Sequence, residues 1–274
     1  MTISENKFPR RAYADGPFGQ VHFQSLGEGD PLLLLHQAPM TSGQFDLVYE
    51  PLALRGIQAI GIDMPGFGLS DPTPDTPTVG DYAHVIPSVL DALGIESAAL
   101  LGHHTGALAA TEGAILFPDR IDRLIINGAL LVSDEDRADF LANLHPWEKN
   151  FKAREHAGHL AELFDIRHKF AKDTVPLERI SDYIVQAMVG RGPFWWGHHA
   201  AYMYDQAPRL PLITQPTMLL TNSGDMINAD SHAAHQIRPD FTFVELEGGG
   251  VDIVDQQSEA WAEAVASFLT KAKG

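Results

Sequence analysis

Cysteine is absent from all 274 residues, which excludes disulfide cross-links and any mechanism that needs a thiolate, and leaves the redox compartment open. Also missing is any run of about 18 consecutive apolar residues, so no membrane-spanning helix is expected. Cations are scarce: 19 Lys and Arg stand against 36 Asp and Glu, a formal net charge of -17. A chain so poor in positive charge lacks the basic surface that binds phosphate backbones, and nucleic acid is not an expected partner. The stretch from Met1 to Arg11 carries no apolar segment of the kind a secretion signal requires, which makes cytoplasmic the expected location. No internal repeat or low-complexity tract interrupts the chain, and the proline-rich stretch from Asp71 to Pro77 reads as a stiff loop.

What is present is enough chain to bury a large core as one domain plus an insertion. Short apolar runs alternate with helical patterns, the signature of parallel strands joined by crossover helices. The strands are expected at Gly19–Leu26, Pro31–His36, Ile57–Asp63, Ala98–Gly102, Ile121–Gly128, Thr217–Asn222 and Phe241–Leu246. Apolar residues at helical spacing mark Val79–Leu93, Gly106–Phe117 and Asp255–Lys271. Between about Ser133 and Pro211 the strand pattern stops and helix formers, His, Trp and Tyr take over. The expected division is therefore an α/β core of residues 1–132 and 212–274, with 133–211 inserted as a helical cap.

One pentapeptide stands out. Gly102-His103-His104-Thr105-Gly106 has the spacing of a G-x-S-x-G nucleophile elbow, a sharp strand-to-helix turn, with His104 where the serine would stand. Ala98 to Leu101 supply the strand before it, and the small residues after Gly106 supply a helix that packs closely on a sheet.

With three further landmarks in order, the chain resembles the α/β-hydrolase-fold superfamily over nearly its full length. Leu35-His36-Gln37-Ala38-Pro39 is similar to the family's His-Gly-x-Pro oxyanion loop, with Gln37 in place of the glycine. Asp63-Met64-Pro65-Gly66-Phe67-Gly68-Leu69-Ser70 fits the D-x-x-G-x-G-x-S turn, and Thr221-Asn222-Ser223-Gly224-Asp225 fits the loop that carries the triad acid. The resemblance implies a mostly parallel sheet flanked by helices, with an inserted helical cap. It also implies a triad histidine in the stretch Gly248-Gly249-Gly250-Val251-Asp252, where that position falls on Val251. The usual relay is thus absent: the acid stays, one histidine moves to the elbow and the other is gone.

The reading that follows is that His104 reaches into the space of the lost histidine and bonds to Asp225. Such a dyad would make His104 a general base, or a nucleophile that forms a reactive acyl-imidazole. Backbone N–H groups tolerate side-chain change, so an oxyanion hole is expected from Thr105 and from Ala38 or Gln37. His36 and Gln37 are candidate substrate contacts beside that loop, His36 also being a candidate anchor. In the insertion, Trp195, Trp196, His198, His199 and Tyr202 form an aromatic, histidine-rich run suited to a small aromatic or cyclic substrate. His103 is expected in packing. The adjacent pair His103-His104 is not a metal pattern and no H-E-x-x-H occurs, so neither metal nor cofactor is expected.

Three functions remain open from these residues. The first is a hydrolase acting on a small, largely apolar ester, lactone or ketone. The second is a cofactor-free lyase, isomerase, cyclase or oxygenase using His104 as base, and the third is a ligand binder without turnover. The family resemblance favours the hydrolase, with a small molecule as the only partner and the oligomeric state open.

Overall fold

The computed structural model describes residues 8–171 and 173–271; the ends of the expected core at 1–7 and 272–274, and one residue of the expected cap, lie outside them. Eight strands form one sheet: β1 (Arg10–Gly16), β2 (Gly19–Leu26), β3 (Asp30–Leu35), β4 (Ile57–Ile62), β5 (Ala98–His103), β6 (Ile121–Asn127), β7 (Thr217–Asn222) and β8 (Thr242–Leu246). Their order across the sheet is β1-β2-β4-β3-β5-β6-β7-β8. The two pairings that involve β2 are antiparallel and the rest are parallel.

The parallel centre is buried on both faces, which is why Leu32 to Leu35 form an unbroken apolar run. Alternation splits them: Leu33 and Leu35 join one core, Leu32 and Leu34 the other. Among the described residues four α-helices precede β6, namely α1 (Tyr49–Leu54), α2 (Val79–Ala83), α3 (Ile86–Leu93) and α4 (Thr105–Leu116). Between β6 and β7 lie α5 (Asp134–Ala142), α6 (Leu144–Lys149), α7 (Gly158–Ala171), α8 (Leu177–Val189) and α9 (Trp196–Tyr202), with no strand among the described residues there. After β7 come α10 (Asn228–Ile237), α11 (Ile253–Gln256) and α12 (Ser258–Lys271). The inserted segment opens on a capping box, Ser133 accepting from the Asp136 N–H while the Asp136 carboxylate accepts from the Ser133 N–H. No helix among the described residues is long and apolar enough to cross a membrane.

Two departures from the sequence pattern have physical causes. The expected helix over Val79–Leu93 is broken between α2 and α3, where Pro87 occupies the first turn of a new helix and has no N–H to continue the old one. Strand β1 was not expected. Only Ala14 of its seven residues is buried, so an edge strand held by backbone pairing to β2 leaves no apolar alternation to read.

Candidate functional site

The site grows from the carboxyl ends of three neighbouring strands, where open α/β sheets place their clefts. His104 follows β5, Gly128 follows β6 and Asp225 lies just beyond β7. His104 adopts φ 48°, ψ -113°, a backbone conformation that costs a non-glycine residue of the order of 1–3 kcal/mol. Its surroundings hold it there: its N–H donates to the Asn127 carbonyl at 2.9 Å, and its carbonyl accepts from the Ala107 N–H at 2.7 Å. A Cβ on Gly106 would overlap the carbonyls of Leu35 and His36, so the helix start can approach β3 only through glycine.

From that turn the imidazole crosses the end of β6 to reach Asp225. Two strand spacings are about 10 Å, so a histidine from β5 and an aspartate from β7 can meet only if β6 offers no side chain between them. Gly128 meets that condition: a Cβ there would stand 2.6 Å from His104 Cδ2. His104 Nε2 lies 2.7 Å from Asp225 Oδ2. A carboxylate only accepts, so Nε2 is the donor in this contact, and Nδ1 has no hydrogen-bond partner among the described residues. The Asp225 side chain is 0% exposed and that of His104 14%. Burial alone would raise the Asp225 pKa, but the imidazole and its hydrogen bond outweigh this and hold it down to about 2.

Below this pair, His103 is fully buried and its Nδ1 bonds to the Gln44 side chain. Burial pushes its pKa well below the usual imidazole value, with the neighbouring His104 acting in the same direction. Gln44 also accepts from the Gln37 N–H at 2.9 Å, which commits that donor to the scaffold. The N–H groups of Ala38 and Thr105 have no partner among the described residues.

His36 does not reach the site as a substrate contact. It is 0% exposed, its Nδ1 bonds to the Gln37 carbonyl at 2.9 Å and its Nε2 accepts from the Met64 N–H at 3.0 Å. It anchors one loop to the next. Gln37 is buried as well, with its backbone held as above.

The inserted segment divides its aromatic run. Trp195 stacks on His145 and meets His199 edge-on, with the Lys149 ammonium 4.7 Å from its ring. Tyr202 stacks on Phe140 at 4.2 Å. The ring contacts of these three expected substrate contacts, Trp195, His199 and Tyr202, thus lie within the insertion, with each side chain only half-buried. Trp196 packs at the backbone of Gly66 and Gly192, where the insertion meets the turn after β4. His198 is half-buried: its Nδ1 bonds to Glu148, and although burial works against its charged form, Glu148 and the Ala38 carbonyl raise its pKa.

Three residues near the site carried no signal that the motifs could reveal, Gly128, Glu148 and Arg167, and a fourth, Asp252, carried a weak one. Asp252 directly follows Val251, which is itself buried, and its Oδ1 accepts from Arg167 Nη2 of α7. The position of Asp252 beside Val251 was the one available hint. Arg167 sits on a helix with no motif, and only the folding of α7 over the sheet brings it near. Among the described residues no three His, Asp or Glu side chains converge as metal ligands.

Comparisons agree with this architecture. A family model for the alpha/beta hydrolase fold matches residues 30–250. A 2-hydroxy-6-oxononadienedioate/2-hydroxy-6-oxononatrienedioate hydrolase of Paraburkholderia phymatum is 37% identical over 114 residues, 40% of this chain and 40% of that protein. A 2-hydroxy-6-oxo-6-phenylhexa-2,4-dienoate hydrolase of Comamonas testosteroni is 31% identical over 127 residues, 45% of this chain and 44% of that one. The similarity thus spans less than half the length of these relatives. A thermophilic esterase from Thermogutta terrifontis superposes with a TM-score of 0.78 at 20% identity, covering 96% of this chain and 98% of that one.

Proposed function

Because this chain belongs to the α/β-hydrolase family, we propose that it is a hydrolase in which a His104-Asp225 dyad replaces the usual nucleophile and relay. The observation that carries the reading is the 2.7 Å contact between His104 Nε2 and Asp225 Oδ2, made across a strand end that Gly128 leaves clear. With Asp225 fixing the tautomer, Nδ1 is the free base, and it takes a proton from water as that water attacks a carbonyl carbon. The N–H groups of Ala38 and Thr105 receive the developing oxyanion; as it collapses, the bond from the carbonyl carbon to the departing group breaks, that group takes the proton back from His104 Nδ1, and the other fragment leaves as the acid. Residues 133–211 act as the cap over this centre, with His198 and Trp196 at its inner edge and Gln37 at the loop below. Two relatives are named for substrates that carry a 6-oxo group, which favours a ketone over an ester or lactone within the class of small, largely apolar substrates.

Turnover in water enriched in oxygen-18 tests this. A hydrolase must place one solvent oxygen in the acid product. Turnover that leaves the label in solvent while exchanging a carbon-bound proton would replace hydrolysis by the lyase or isomerase reading of the same dyad. Binding without turnover across ketone, lactone and ester panels would leave a ligand binder.

A further inference from the structure

The two sides of Ala38, whose N–H faces the developing oxyanion, are held by different parts of the molecule. On one side the core does the holding: Gln44 accepts from the Gln37 N–H at 2.9 Å, and the Gln37 carbonyl accepts from the Met40 N–H at 2.8 Å and from His36 Nδ1 at 2.9 Å. On the other side the Ala38 carbonyl receives no bond from the core among the described residues, and its partner is the imidazole of His198 on α9. The insertion reaches this loop through glycine. The Gly192 N–H donates to the Gly66 carbonyl at 2.8 Å, and a Cβ on Gly197 would overlap the side chains of Ala38 and Phe67, so α9 lies directly on the loop after β3.

His198 is tied at Nδ1 to Oε1 of Glu148 on α6, a side chain 2% exposed whose second oxygen has no partner among the described residues. A carboxylate and a carbonyl both only accept, so the ring serves the two partners together only as the imidazolium, donating from both nitrogens. A neutral ring must leave one of them. Burial and Arg167 of α7 oppose the charge, whereas Glu148 and the Ala38 carbonyl favour it and prevail, so the pKa lies above the ordinary imidazole value. The side chain is 31% exposed, which lets it exchange its proton with solvent.

We propose that His198 is a positioning residue for the oxyanion loop, an imidazolium strut that runs from buried Glu148 to the Ala38 carbonyl and fixes the Ala38 N–H against the developing charge. This role presupposes the hydrolytic reading, in which Ala38 is an oxyanion donor. Its pH sense follows from the raised value: the strut is complete below the ordinary imidazole range and is lost as pH rises through the folded value, when one of the two bonds must break. The loop then keeps its hold at Gln37 and loses it at Ala38.

Imidazole nitrogen NMR on the native protein, with the Ala38 amide followed from pH 6 to pH 9, tests the strut without turnover. Both ring nitrogens of His198 should be protonated at neutral pH, and the Ala38 amide should shift at the midpoint where the ring loses its proton. Glu148→Gln should lower that midpoint by about one pH unit or more. His198→Gln, which cannot titrate, should abolish the Ala38 transition. Rates with saturating para-nitrophenyl butyrate give a second readout, in which native kcat falls on the alkaline side at the same midpoint. His198→Gln should remove that limb and lower kcat at neutral pH by about tenfold with KM nearly unchanged, less than the roughly 10²–10³-fold cost of deleting an oxyanion donor. Should the ester not be turned over, the NMR outcome decides alone. A neutral His198 at neutral pH, an Ala38 amide indifferent to its titration, or an alkaline limb kept in His198→Gln would overturn the assignment. Where His198 and Ala38 titrate together but solvent oxygen stays out of the product, the strut stands and hydrolysis is what fails.

Discussion

The strand ends and the inserted helices solve the same problem, placing polar groups at one point, by opposite means. At the strand ends the backbone does the placing. His104 is aimed by a turn that only its flanking glycines permit, and Asp225 by the register of β7 beside β6. In the insertion, side chains do the placing. Arg179 of α8 bonds to Asp255 at 3.1 Å and to the Gly43 carbonyl at 2.9 Å, Tyr183 donates to the same Asp255, and Arg167 reaches Asp252. The first arrangement leaves local marks in the sequence, and its backbone turn does not depend on the functional side chain. The second leaves none, and it depends on each partner being present.

The sharpest test of the difference is His104→Ala. The turn keeps its backbone bonds, but the buried Asp225 carboxylate loses its side-chain partner, so stability should fall by about 2–3 kcal/mol while turnover per folded molecule falls by about 10³-fold, within the range for a removed general base. His104→Ser should remain as inactive on an activated ester, because a serine hydroxyl needs a base and Val251 cannot supply one. Adding Val251→His should then raise the rate above that of the single variant. Initial rates, together with intact-mass detection of an acyl-enzyme, decide the matter; rapid acylation of His104→Ser alone would mean that another base already serves the elbow.

Next in size is Gly128→Ala. The new methyl would stand 2.6 Å from the ring, and a φ of +77° is itself strained for alanine by about 1 kcal/mol. A displacement of the order of 1 Å at a catalytic group is worth about 10²-fold in rate, so activity should drop that far with only a modest loss of stability. A full rate in Gly128→Ala would show that the ring works from some other position. The opposite pattern is expected of Asp255→Ala in the insertion seam. It leaves Arg179, 11% exposed, without its buried partner, which should lower stability by about 3 kcal/mol. The rate per folded molecule should stay within about threefold, because no group near the reacting atoms is removed. Urea midpoints and active-site-normalised rates separate the two patterns.

This contrast also explains what the sequence made legible. The parallel strands could be read because burial on both faces forces continuous apolar runs, as in Leu32–Leu35, and the dyad could be read because the elbow and acid loops are local motifs. Strand β1 could not, since an exposed edge is specified by its partner's backbone. Arg167 could not either: an arginine in an amphipathic helix looks like any solvated cation until the chain folds α7 over β8's loop. The same limit hid the ring contacts of Trp195, His199 and Tyr202, whose partners His145 and Phe140 lie elsewhere in the insertion.

The smallest effect expected is also the most specific to the dyad. Asp225 titrates at about 2 in the folded protein against an ordinary value of 3.8, so the unfolded chain takes up its proton first as pH falls. The stabilisation from this group is therefore complete above the unfolded value and declines as pH drops toward the folded one. The shift corresponds to about 2 kcal/mol in full, of which about 1 kcal/mol should already be gone at pH 3. Asp225→Asn has no proton to take up in that window. Plotting the unfolding free energies of the two proteins from urea titrations at pH 5, 4 and 3 should give curves that converge on the acid side, the native protein losing its advantage as His104 loses an ionised partner. Parallel curves would mean that Asp225 is no more acidic folded than unfolded, and the His104-Asp225 contact would then hold no net charge interaction for either chemistry or stability.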